Sequence, residues 1–171
     1  MIKILFVCHG NICRSPMAEL IFRKMCEERG LTDKFSVASR ATSDEEILDG
    51  VGNPVYPAAR RELARHGIEV GEKRAERLVR GDYLAYDLII GMDRYNVNMM
   101  DIILGYDKLK KVSRLLDHTE RGGDVVDPWY TGDFSRAYED IERGCRALLE
   151  ELTSPAGEEQ IMRIREAQRT R

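Results

Sequence analysis

Residues 2–8, Ile-Lys-Ile-Leu-Phe-Val-Cys, leave the chain few choices. A half-exposed strand would alternate apolar with polar side chains, and this run is broken only by Lys3, so it reads as a strand buried on both faces. Gly10-Asn11 then turns the chain, Ser15-Pro16 opens a helix, and Met17, Leu20, Ile21 and Met25 recur at helical spacing up to a stop at Gly30. A buried strand feeding a helix through a short loop is the first half of a parallel crossover.

The rest of the chain repeats that unit. Phe35 to Ser39 is a second strand, followed by a polar loop from Arg40 to Pro54. Pro57 starts a helix that carries Leu63 and ends at His66-Gly67, and Asp87 to Gly91 is a third strand. Asp93 sits at the N-cap of a helix with Met99, Met100, Ile103 and Leu104 on one face, and Val112 to Leu116 is a fourth strand. After a loop from Asp117 to Ser135, a closing helix places Tyr138, Ile141, Cys145, Leu148, Leu149 and Leu152 on its core face. Strands alternating with helices predict an α/β fold: a doubly wound, four-stranded parallel sheet with helices on both faces, a three-layer αβα architecture of flavodoxin-like or Rossmann-like type. The length of 171 residues suits one domain, taken as 1–154. Residues 155–171 read as a charged C-terminal tail, a partly ordered appendix in which Ile161, Met162 and Ile164 are too sparse to anchor a long helix.

Charged residues make up 33% of the chain, yet the net charge is only −3, so no global basic field draws nucleic acid or an anionic membrane. No run approaches transmembrane length, and the N-terminal run is too short for a signal-peptide core. Four cysteines without an export signal suit a reducing cytoplasm better than a disulfide framework. Any anion site must therefore be local, and Cys8 marks where. A cysteine at the mouth of a loop whose backbone N–H groups converge with a helix N-terminus sits in a positive potential that favours thiolate. Arg14, six residues on, offers a planar fork of donors matched to a tetrahedral oxyanion. The loop reads as a phosphate-binding cradle with a nucleophile at its floor. In folds of this class ligands bind beyond the carboxyl ends of the strands at a topological switch point, where Cys8 and Asp127 can face one crevice.

Cys8-His9-Gly10-Asn11-Ile12-Cys13-Arg14-Ser15, the segment Asp87 to Asp93, and Asp127-Pro128-Trp129-Tyr130 together resemble the low-molecular-weight protein tyrosine phosphatases, over roughly Ile2 to Leu152. The resemblance implies hydrolysis of phosphotyrosine and small aryl phosphates through a cysteinyl-phosphate, without cofactor or metal. Cys8 would be the nucleophile, Arg14 the clamp on the equatorial oxygens, and Asp127 the general acid and later base. Without the resemblance Asp127 would be read as a turn former before proline. His9, Gly10, Asn11, Ile12, Cys13 and Ser15 would complete the phosphate loop, His9 through its amide. Gly10 admits close approach of the backbone, and Asn11 tolerates a left-handed conformation. Ser15 has two readings, a helix N-cap or a hydroxyl that steadies the Cys8 sulfur.

Trp129 and Tyr130 match the family's aromatic wall, with Trp129 where tyrosine is more common. Glu45 stands on the other wall, where many eukaryotic relatives carry an aromatic residue, and would disfavour acidic peptides. Cys13 matches a redox partner that shields the nucleophile in a reversible disulfide. Cys26 and Cys145 look structural. His66 and Asp87 match positions that pair with each other as scaffold groups. The implied partners are tyrosine-phosphorylated proteins, and phosphate or another oxyanion in the loop.

Three rivals share features of this pattern. A thioredoxin-coupled arsenate reductase of the same fold needs a further cysteine pair in mid-chain, and between Cys26 and Cys145 the sequence has none. A protein arginine phosphatase carries threonine at the position of Ile12, where an apolar branched residue suits an aryl ester better. An inactive phosphoprotein-binding module would have lost Cys8, Arg14 or Asp127, and all three are present.

Overall fold

The computed structural model describes residues 1–170, and Arg171 lies outside them. Strand β1 (Ile2–Cys8) runs into helix α1 (Arg14–Glu28), followed by β2 (Phe35–Ala41), a short hairpin of β3 (Ile47–Leu48) and β4 (Val51–Gly52), α2 (Pro57–Arg65) and α3 (Asp82–Ala85). The second half holds β5 (Leu88–Gly91), α4 (Arg94–Leu104), β6 (Val112–Arg114), α5 (Pro128–Thr131), α6 (Phe134–Leu152) and α7 (Pro155–Arg169). The main sheet has the order β2-β1-β5-β6 with every pair parallel, so the chain winds first to one side of β1 and then crosses to the other. The reversal lies between β1 and β5, which opens a crevice at the carboxyl ends of those two strands.

Alternate residues of the central strands face opposite layers, as a strand with a period of two requires. Ile4, Phe6, Leu88 and Ile90 join Met17, Ile21 and Phe22 of α1 and Tyr138, Ile141, Cys145 and Leu148 of α6. Leu5, Val7 and Ile89 face the other way, onto Tyr83 of α3 and Met100 and Leu104 of α4. Ile4 to Val7 are fully buried, which is why the run carries no alternation. Among the described residues no helix is long and apolar enough to cross a membrane.

Three local expectations change. The fourth strand ends at Arg114, and Leu115 and Leu116 continue as a 3-10 turn. Their apolar character serves the layer beneath α6, where a Cβ on Gly144 would lie 2.5 Å from the Leu115 Cγ. The loop from Arg40 to Pro54 is not featureless, because Asp49 (φ 51°) and Gly50 (φ 78°) form a two-residue turn between β3 and β4. Gly52 packs against the backbone of Ala75 so closely that a Cβ would meet its carbonyl oxygen. The tail, expected to be partly ordered, is instead helix α7: Ser154 caps it, Ile161 and Ile164 enter the main core, and Arg165 reaches Asp87 at the start of β5. Two isoleucines three residues apart suffice because both lie on the buried stripe.

Candidate active site

β1 delivers Cys8 to the switch point, and residues 9–13 wrap back into α1. Asn11 turns the loop with φ 56°, a left-handed conformation that asparagine tolerates. Its backbone N–H donates to the Cys8 Sγ at 3.3 Å. Its side chain then ties the loop to the sheet: Nδ2 donates to the Ser15 Oγ (2.8 Å) and the Ser39 Oγ (2.9 Å), and Oδ1 accepts from the Glu76 backbone N–H (2.9 Å). The Ser15 Oγ lies 3.0 Å from the Cys8 Sγ. Because Asn11 fills an acceptor site on that oxygen, the hydroxyl hydrogen is left for the sulfur, its other acceptor being the Arg40 carbonyl at 3.5 Å. The N-cap reading of Ser15 is not met. Cys13 occupies the cap position of α1, without a side-chain bond, and Ser15 lies inside the first turn.

Behind the loop the network continues into α1. The Ser39 hydroxyl donates to the Glu19 carboxylate at 2.5 Å, and Glu19 is held by Arg23 (2.7 Å) and Lys73 (3.4 Å). Sequence reading missed Glu19, Ser39 and the Glu76 amide, since nothing local to any of them marks a partner so far along the chain.

Arg14, with a side chain 3% exposed, donates through Nη1 to the Asp93 carboxylate (2.6 Å) and the Val125 carbonyl (2.8 Å), and through Nη2 to the Asp127 carboxylate (3.2 Å). Burial works against its charge, but Cys8, Asp127 and Asp93 together outweigh that and raise the guanidinium pKa. Asp93 does double duty, because its other oxygen accepts from the Asn96 N–H (2.7 Å) in a capping box at the start of α4. Its N-cap role was legible in the sequence and its hold on Arg14 was not. Asp127 is likewise both the turn former and a crevice residue. Its Oδ1 caps α5 by accepting from the Trp129 N–H (3.0 Å), while Oδ2 faces Arg14.

The crevice has a volume of about 650 Å³ and brings together Cys8, His9, Gly10, Ile12, Cys13, Arg14, Glu45, Asp127, Trp129 and Tyr130 from the expected set. Asn11 and Ser15 stand behind that surface, fully buried. One rim is His9, whose Nε2 lies 3.0 Å from the Glu45 carboxylate and whose ring packs beside Tyr95 (6.2 Å). The other is Trp129 and Tyr130, with Trp129 backed by Tyr56 (ring centroids 5.1 Å) and Tyr56 stacked on Phe134 (5.9 Å). Tyr95, Glu46 and the Tyr56 support were not foreseen.

Burial, then the nearby Cys8 and Asp127, push the Cys13 thiol well above the ordinary thiol range. Cys26 and Cys145 are buried on α1 and α6, with burial raising both thiols, Cys26 to about 11. The expected pairing of His66 with Asp87 is absent. His66 faces Glu62 one turn back on α2 (3.3 Å) and stacks on Tyr138 (3.6 Å, 6°). Asp87 is taken by Arg165 of α7 and by the Lys3 N–H.

A thiol, an arginine fork and a carboxylate thus line one crevice, and the chain as a whole is similar to known proteins. Residues 3–157 match the family model described as low molecular weight phosphotyrosine protein phosphatase. The low molecular weight protein-tyrosine-phosphatase YfkJ of Bacillus subtilis is 38% identical over 151 residues, spanning 87% of this chain and 94% of that one. Its crystal structure superposes with a TM-score of 0.84 over 89% of this chain and 94% of its own. The human low molecular weight phosphotyrosine protein phosphatase is 35% identical over 153 residues, spanning 86% and 94% of the two chains. A structure of the YwlE arginine phosphatase, a mutant form with a phosphorylated active-site serine, is 25% identical with a TM-score of 0.77, covering 90% of this chain and 97% of that one. With match, fold and loop in agreement, the chain belongs to the low molecular weight phosphotyrosine protein phosphatase family.

Proposed function

We propose that the protein hydrolyses phosphotyrosine in proteins, and small aryl phosphates, by two transfers through Cys8. In the first, the Cys8 Sγ attacks phosphorus, the bond from phosphorus to the phenolic oxygen breaks, and Asp127 gives its proton to that oxygen. In the second, water attacks the cysteinyl-phosphate, Asp127 takes the water proton, and the thiolate leaves. The observation that carries the reading is the pair of donors on the sulfur, the Asn11 N–H at 3.3 Å and the Ser15 Oγ at 3.0 Å, in a crevice that also holds Arg14 and Asp127. Those donors favour the thiolate both as attacking and as leaving group. Arg14 binds the equatorial oxygens. To do so its Nη2 turns from Asp127 to the phosphoryl group, which frees the carboxyl for proton transfer.

Cys13 acts as the redox partner. Oxidation of the Cys8 thiolate by a peroxide gives a sulfenic acid and reduces the peroxide. Attack by the Cys13 sulfur then forms the disulfide and releases water. Cys13 is the neighbouring thiol on the same loop, and oxidation of Cys8 removes the negative charge that opposes its ionisation. Action in the cytoplasm accords with this chemistry, because a reducing pool returns the disulfide to two thiols.

The second reading is arginine phosphatase, favoured by the structural likeness to YwlE, while Ile12 at the crevice lining favours the aryl ester. Assaying phosphotyrosine, phosphoarginine, phosphoserine and arsenate on one preparation tests the choice. Phosphotyrosine turnover should dominate, and faster release of phosphate from phosphoarginine would reverse it. Cys8→Ser should abolish turnover. Asp127→Ala should slow phenyl phosphate by about 10²-fold or more, the usual worth of a general acid, while sparing better leaving groups. An unimpaired Asp127→Ala enzyme on phenyl phosphate would put the acid elsewhere.

A further inference from the structure

Ser113, His118 and Glu151 lie outside the lining of the crevice, and the chemistry proposed at Cys8 uses none of them. They come from three elements: β6, the 3-10 turn Leu115–His118 and α6. The Ser113 Oγ lies 3.0 Å from the His118 Nε2, and the His118 Nδ1 lies 2.7 Å from the Glu151 carboxylate. The imidazole is largely enclosed, with its side chain 12% exposed, whereas Ser113 and Glu151 keep part of their surface in solvent.

The order of these bonds fixes the protons. A carboxylate only accepts, so the Nδ1 beside Glu151 carries the ring hydrogen. The neutral ring then presents a lone pair at Nε2, to which the Ser113 hydroxyl donates. The bond from His118 is the leading reason that the Glu151 carboxyl titrates below its usual range, against the opposing effect of burial, so the acceptor is ionised at neutral pH. A hydroxyl donating to an imidazole that a carboxylate orients is the arrangement that activates serine for acyl transfer. His118 also forms part of the wall of a surface cavity of about 460 Å³, together with Arg121, Arg143 and Arg146. Asp140 takes one bond from Arg143 and Glu142 one from Arg146, so guanidinium donors remain for a carbonyl oxygen that gains charge.

We propose that Ser113, His118 and Glu151 form a second hydrolytic site, separate from Cys8, that cleaves small carboxylic esters. The Ser113 oxygen bonds to the ester carbonyl carbon as its proton passes to the His118 Nε2. The bond from that carbon to the alcohol oxygen then breaks, and the imidazolium gives the proton to the departing alcohol. Water attacks the acyl-serine and passes a proton to His118, and the Ser113 oxygen leaves and takes that proton back. The products are a carboxylic acid and an alcohol. Glu151 touches no reacting atom and is a positioning residue, which holds the ring tautomer and stabilises the imidazolium.

The test uses para-nitrophenyl acetate and a fluorophosphonate probe on Cys8→Ser protein, in which the crevice thiol contributes nothing. That protein should hydrolyse the ester faster than buffer does and take the probe on the peptide that carries Ser113, and urea-unfolded protein should take none. Adding Ser113→Ala should remove both signals, and adding His118→Gln should lower hydrolysis by about 10²-fold, the usual worth of a general base. Glu151→Gln should lower kcat with KM unchanged, and Glu151→Asp should recover part of the loss. Absence of label on Ser113, or hydrolysis unchanged by Ser113→Ala, overturns the assignment. A His118 that serves only to tie the 3-10 turn to α6 predicts that outcome, with loss of stability as the sole effect of His118→Gln.

Discussion

Asn11 shows how much one side chain can hold. Its amide bridges Ser15, Ser39 and the Glu76 backbone while its own N–H supports the Cys8 sulfur, all with no exposure to solvent. Asn11→Ala would strand buried partners on three sides and put alanine in a left-handed turn, so it should lose about 2 kcal/mol or more of stability, measured by urea unfolding. Turnover should fall as well, by about tenfold, because the Ser15 hydroxyl loses the donor that turns its hydrogen towards the sulfur. A variant as stable and active as the parent would mean the network does not orient the loop. The asparagine was legible in the sequence as a turn residue. Its partners were not, since Ser39 and Glu76 lie 28 and 65 residues away and reach it only through sheet register and a loop crossing.

Among the elements, α7 departs furthest from expectation, and charge explains why. Asp87 accepts from the Lys3 N–H (2.8 Å) and from the Arg165 Nε (2.9 Å) and Nη2 (2.7 Å), which ties the starts of β1 and β5 to the last helix. Burial alone would raise the Asp87 pKa, but these bonds prevail and hold it below the ordinary carboxylate range. A folded-state pKa below the unfolded one means that this stabilisation is complete above about pH 4 and fades as the pH falls through the lower folded value. Asp87→Asn should therefore cost about 2 kcal/mol at pH 7 and progressively less under acid, followed by denaturant unfolding across pH. A cost independent of pH would assign it to packing. The hairpin of β3 and β4 teaches the opposite lesson. Asp49-Gly50 between apolar pairs is a strong local hairpin signal, passed over inside a loop whose polar composition masked it.

On the scale of the molecule, the site exists because the switch point between β1 and β5 lets two distant stretches share Arg14, with Asp93 and Asp127 lying 79 and 113 residues beyond it. The proposed cycle needs a thiolate at Cys8 together with a proton on Asp127, so kcat/KM for an aryl phosphate should follow a bell that falls away on both the acid and the alkaline side. Activity still rising through pH 9 would remove Asp127 from that role. The parts written into the chain locally were legible without coordinates: the buried run of β1, the turn and helix start around Cys8 to Pro16, the N-cap at Asp93 and the core stripe of α6. Each depends on the period of an apolar pattern or on the chemistry of one turn, which neighbours in sequence suffice to specify. The ion pairs of Arg14, the buried line from Glu19 to the Cys8 sulfur, the exchange of His66 for Arg165 at Asp87 and the docking of α7 were decided by tertiary structure alone. Hydrogen bonds and ion pairs act over about 3 Å whatever the separation along the chain, so which polar groups meet is settled only when the layers close.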